Sequence, residues 1–118
     1  MPASILVAFR QQLLGVDPPS SPIFVFSTTN TNAVFEMRGV SVMNTDTVAH
    51  EFCIYHVPSG VTPDVDHARF FDVSIAANTS YEIGYTDGEW ILAAGDELWA
   101  YADTADVVNV YGSGIAYE

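Results

Sequence analysis

The chain has 118 residues, 49% hydrophobic and 15% charged, with 15 acidic side chains against three arginines and no lysine. That length bounds it to one domain, and seven Phe, six Tyr and two Trp supply a core that a disordered acidic tail lacks. A formal net charge of −12 repels phosphate backbones and anionic membranes, the missing lysine removes Schiff-base and P-loop chemistry, and Cys53, standing alone, allows neither an intrachain disulfide nor a multi-cysteine zinc site.

The first 22 residues read as an arm. Ile5-Leu6-Val7-Ala8-Phe9 is a short apolar run whose only nearby cation, Arg10, follows it. A signal peptide has the opposite order, and the run is too short to span a bilayer, so a soluble product of a reducing cytoplasm is expected. Residues 11–14 are compatible with a turn of helix. Asp17-Pro18-Pro19-Ser20-Ser21-Pro22 is a stiff linker that cannot donate to a ladder and separates the arm, 1–22, from the domain, 23–118. An apolar strand must pair its edge somewhere. Two placements satisfy that demand, the domain's own sheet and another subunit, and the second is favoured here.

From residue 23 onward, eight short strands are expected, at 23–27, 33–43, 48–57, 69–75, 80–85, 89–93, 97–103 and 107–117. They are cut by turn residues such as Asn44-Thr45-Asp46, Pro58-Ser59-Gly60, Asp87-Gly88 and Gly95-Asp96. Eight strands near ten-residue spacing suggest an all-β sandwich or barrel, and a single antiparallel β-sandwich of jelly-roll type is the expectation adopted. Alternation places Phe71, Val73 and Ile75 on one face, and likewise Tyr81, Ile83 and Tyr85. Phe35 and Met37 differ in phase from Val40 and Val42, which predicts a β-bulge at Gly39.

Chemistry-bearing patterns are sparse. His50 and His56 lie about 20 Å apart by strand rise, too far to share an ion. Asp64-Val65-Asp66 clusters oxygens but lacks the glycine and distal glutamate of a calcium loop. Ser113 sits within a strand rather than on a nucleophile elbow, and Gly112 and Gly114 mark a kink or a close approach of neighbouring chain. Cys53, between Phe52 and Ile54, reads as an inert buried thiol. No enzyme activity, metal or cofactor is expected. With Leu98, Ala100, Val108 and Val110 pointing inward, Trp99, Tyr101, Tyr111, Ile115 and Tyr117 point outward. Such aromatics suit a face covered within the sandwich itself, by the arm for instance, or equally a subunit interface, and less directly a glycan platform.

Several segments carry a resemblance: residues 38–46, His56-Val57-Pro58-Ser59-Gly60, residues 71–82, 92–102 and 107–112. Over residues 35–115 the chain resembles small β-sandwich virion proteins of tailed bacteriophages. The resemblance implies a structural part of the particle: a capsid decoration (cement) protein on the outside of the shell, made in the bacterial host cytoplasm. It would act as a homotrimer bridging subunits of the major capsid protein. The alternative it implies is a tail, adaptor or fibre module that contacts host glycan. On this reading the capsid-binding arm is Ile5, Leu6, Val7, Phe9, Leu13 and Leu14. The acids occupy turns and outward positions such as Asp64, Asp66, Asp87, Glu89, Asp103 and Asp106, leaving the nearly uncharged arm as the exception.

Overall fold

The computed structural model describes residues 4–13, 15, 21–86 and 88–117. Among them, nine strands form: β1 (Ser4–Gln12), β2 (Phe24–Val25), β3 (Val34–Asn44), β4 (His50–Val57), β5 (Ala68–Ile75), β6 (Ser80–Gly84), β7 (Ile91–Ala93), β8 (Glu97–Ala102) and β9 (Val108–Tyr117). Two antiparallel sheets face each other. One runs β1-β9-β3-β6, with β7 also on β3, and the other β2-β8-β4-β5. Strands remote in sequence pair across the sheets, first with last and second with next to last.

The core is the alternating inward set of both sheets. Phe35, Met37, Val40, Val42, Leu92, Val108 and Val110 meet Phe52, Ile54, Phe70, Leu98 and Ala100, with Trp90 buried beside them. Stacked and edge-on aromatic contacts run through this layer, from Phe9 on Phe24 at 4.8 Å to Tyr85 on Trp90 at 5.3 Å. Two glycines of β9 make room for it. A Cβ on Gly114 would strike the Phe35 ring and the Glu36 carbonyl oxygen, and one on Gly112 would strike the Phe9 ring.

The expected bulge in β3 is present. The β3–β9 register shifts between Met37 and Gly39, so Phe35, Met37, Val40 and Val42 all face inward. At the same point β3 changes partners. Met37 N–H donates to Trp90 O and Tyr85 N–H to Arg38 O, so β7 hands over to β6.

A second irregularity corrects the sequence reading. The β4–β5 register shifts between Phe52 and Ile54 and again between Ile54 and Tyr55, and Asp72 takes φ 50. Val73 and Ile75 keep the expected face, but a one-residue slip reverses every side chain beyond it. Phe70 is therefore buried and Phe71 is 53% exposed. Gln11 and Gln12 continue β1 rather than making a turn of helix, because their backbone pairs with Val110 and Asn109. Leu14, the end of that expected turn, lies outside the described residues.

Candidate functional site

β1, β9 and β3 build the outer face of the larger sheet. The strand period brings Leu6, Ala8 and Arg10 out from β1, Tyr111, Ser113, Ile115 and Tyr117 from β9, and Glu36, Arg38, Ser41 and Met43 from β3. Leu6 is 77% exposed and Tyr111 43%. Unlike the molecule as a whole, this face carries little net charge. Two of the three arginines lie here, and the acid among these residues, Glu36, pairs with Arg38 at 2.9 Å. Arg38 also donates to Tyr117 Oη at 3.3 Å, and the Arg10 guanidinium lies 5.9 Å from the Tyr111 ring centre. Small side chains at Gly39, Ser41, Gly84 and Ser113 leave a shallow depression of about 340 Å³ beside Tyr111, edged by Glu82. A second, of about 290 Å³, lies on its other side between Arg10, Met43 and Asn109. The arrangement offers area, aromatic edges and little charge. That suits a protein surface better than a chemical step.

The six arm residues divide. Ile5 and Leu6 are exposed, Val7 and Phe9 pack partly against the chain's own core, and Leu13 is fully buried in it. Leu14 is outside the described residues. The placement favoured from sequence, an arm on another subunit, gives way to the alternative within this chain: Ser4 to Gln12 pair with Tyr117 to Asn109 of β9. Among the five aromatic and apolar interface residues, Tyr111, Ile115 and Tyr117 share the face just described. Trp99 and Tyr101 lie on the outside of the other sheet, in a smaller cluster with Cys53, Tyr55 and Val57. There Tyr55 Oη and Tyr101 Oη are 3.2 Å apart, and Trp99 Nε1 donates to Glu97 at 2.8 Å. The two groups therefore do not form one surface.

Sequence reasoning passed over two polar networks. Trp90 Nε1–H donates to His56 Nδ1 at 3.1 Å, and His56 Nε2 meets Asp96 Oδ2 at 2.8 Å. Because the indole is a donor only, His56 Nδ1 is the acceptor and Nε2 carries the proton. Buried Asp96 also accepts from Ala93 N–H and Ser59 N–H, so the Gly95-Asp96 turn ties two loops to the core. His50 lies between two carboxylates, Nδ1 to Asp103 at 2.7 Å and Nε2 to Asp46 at 2.8 Å. Its pKa is raised, chiefly by the bond to Asp46, and Asp46 is lowered chiefly by His50. Strand spacing excludes the two histidines as joint ligands of one ion and names no partner for either. A local signal exists for Asp46, four residues before His50, whereas tertiary pairing brings in Asp103 and Asp96 from 53 and 40 residues away.

The remaining candidates are absorbed by structure. Asp64 caps the 3-10 turn Val65–His67, with His67 Nδ1 accepting from Asp64 N–H. Burial pushes the Cys53 thiol up, and its sulfur accepts from Asp72 N–H. Asn44 is buried, donating to Val48 O at 2.9 Å and Ile75 O at 3.1 Å and accepting from Asp46 N–H. Asp64, Asp66, Glu89, Asp103 and Asp106 are exposed, whereas Asp87 lies outside the described residues. Among the described residues no three His, Cys, Asp or Glu side chains gather as a metal site would, and no helix is long and apolar enough to cross a membrane.

No known protein family matches the sequence, and no curated protein does so. Solved structures do match in fold. A protein of the disulfide-linked pili that form Bacillus endospore appendages superposes with a TM-score of 0.55 at 12% identity, over 98% of this chain and 87% of that one. A protein of the T13 IBDV viral particle superposes with a TM-score of 0.50 at 11% identity, over 98% of this chain and 31% of that one. At these identities the likeness is one of fold. The β-sandwich is shared with a pilus protein and a viral-particle protein.

Proposed function

We propose that the chain is a non-catalytic structural subunit of a virus particle, a phage capsid decoration protein that binds the outer surface of the shell and bridges subunits of the major capsid protein. The observation that carries this reading is the outer face of β1, β9 and β3. On a molecule of net charge −12 it gathers exposed Leu6, Met43 and Tyr111 with Arg10 and with a neutralised Glu36–Arg38 pair. A neutral apolar face on a strongly acidic body fixes orientation. Carboxylates turn to solvent and the sheet turns to the shell. The fold shared with a viral-particle protein supports the reading, and so does the resemblance carried by residues 35–115.

Particles purified from the host that makes the chain provide the test. A decoration protein is present in hundreds of copies, and Tyr111→Glu, which places a carboxylate on the docking face at an exposed position, should remove it from the particle by co-sedimentation while leaving its own melting temperature within a degree or two. A handful of copies per particle would instead favour a tail, fibre or filament module, the reading to which the likeness to a pilus protein lends weight. Absence from particles would overturn both.

A further inference from the structure

Among the described residues, β1 is the sheet edge where hydrogen-bonding capacity is left over. Other sheet edges are blunted in ways that hinder strand addition. β5 bulges twice and holds Asp72 at positive φ, β2 is two residues long, and β6 is five residues long and carries Glu82. β1 is nine residues in unbroken register with β9, without proline or acid. Its outward groups are identifiable. Leu13 N–H donates to Val108 O at 2.8 Å, and hydrogen-bonded pairs alternate along an antiparallel ladder. The odd-numbered residues of β1 thus turn their N–H and C=O to β9, while Leu6, Ala8 and Arg10 turn theirs away from the molecule.

We infer that this edge receives a second copy of the chain, whose β1 adds antiparallel across a two-fold axis at Ala8 and joins the two sheets that contain β1 into one. Charge selects the occupant. Two molecules of net charge −12 repel wherever their carboxylates meet, and β1 is a strip on which none is present. Geometry selects the register. Outward-facing backbone belongs to even-numbered residues, so only even-to-even pairing satisfies it on both strands, and among those registers the one centred on Ala8 overlaps all nine residues. It forms about ten new backbone hydrogen bonds. It sets Val7 opposite Phe9 of the second copy, a β-branched and aromatic pair, and the stem of Arg10 opposite exposed Leu6. The joint is isologous and closes on itself. It also sets two docking faces side by side in one plane, which fits the bridging role proposed above without depending on a shell.

The pure protein tests this directly. Its mass by light scattering should double as concentration rises, and Ala8→Pro, which removes an outward N–H and leaves the β1–β9 bonds in place, should remain monomeric with an unchanged circular dichroism spectrum. Mild oxidation of Ala8→Cys should give a covalent dimer, because Ala8 faces its own counterpart at a separation a disulfide spans. Leu6→Cys should not, its counterparts being about 13 Å apart along the strands. A wild type monomeric at high concentration, an Ala8→Pro variant that folds and still dimerises, or equal crosslinking of the two cysteine variants would overturn the inference. Shell binding is read separately through Tyr111→Glu, so loss of one leaves the other standing.

Discussion

Asp96 shows what a single carboxylate can hold in place. It accepts from two backbone N–H groups and from His56, which in turn receives the Trp90 indole proton. Asp96→Ala should cost about 2–3 kcal/mol, since it leaves buried donors without partners, and denaturant unfolding measures it. A loss below about 0.5 kcal/mol would mean that water replaces the carboxylate without penalty. His50 makes a different prediction. Its raised pKa contributes stability that is fully present below the unfolded histidine value of about 6.5 and is lost as pH rises through the higher folded value. The lowered pKa of Asp46 contributes stability present above about pH 4 and lost as pH falls through the folded value. The clip is complete between those limits. The thermal midpoint should therefore fall from pH 6 to pH 9, and His50→Gln should flatten that fall. An alkaline limb of wild-type steepness in the variant would exclude the clip as its source.

At the scale of the strand, β9 depends on what its glycines omit. A methyl at Gly114 meets both the Phe35 ring and the backbone oxygen of Glu36, and backbone in a central strand cannot withdraw. Gly114→Ala should cost about 3 kcal/mol. Gly112→Ala meets only the ring of Phe9, on an edge strand and half-buried, and should cost less by at least a factor of two. Equal penalties would show that β1 is as rigid as β3. Eight strands lie where turn residues and alternation put them, because Gly, Asn and Asp interrupt the ladder by local chemistry. The bulge near Gly39 was legible because hydrophobic residues change phase across it. The bulges of β5 were not, because Phe70-Phe71 offers an apolar side chain in either phase, and only pairing with Phe52 and Ile54 selects Phe70.

For the whole molecule, the charge ratio predicted an acidic exterior, and the structure distributes it unevenly. Carboxylates occupy turns at the ends and the outside of the smaller sheet. The outer face of β1, β9 and β3 is left nearly neutral, and that contrast favours both docking and self-association there. Salt should therefore strengthen self-association of the pure protein, since screening weakens repulsion between acidic bodies while the pairing itself is neutral. Weaker association at 0.5 M than at 0.05 M NaCl would point to an ion-paired interface instead.

The sequence by itself determined the all-β class, most strand positions and the outward orientation of Tyr111, Ile115 and Tyr117, because each follows from local turn chemistry or a period of two. Tertiary structure alone decided that the arm completes its own sheet. Phe9 has a place only above the absent side chain of Gly112, and Leu13 only in the core of its own chain. It also decided that His50 meets Asp103 and that His56 meets Asp96, since those partners lie 53 and 40 residues away, whereas Asp46, four residues before His50, is a local partner. The two distant pairings have no local pattern to announce them.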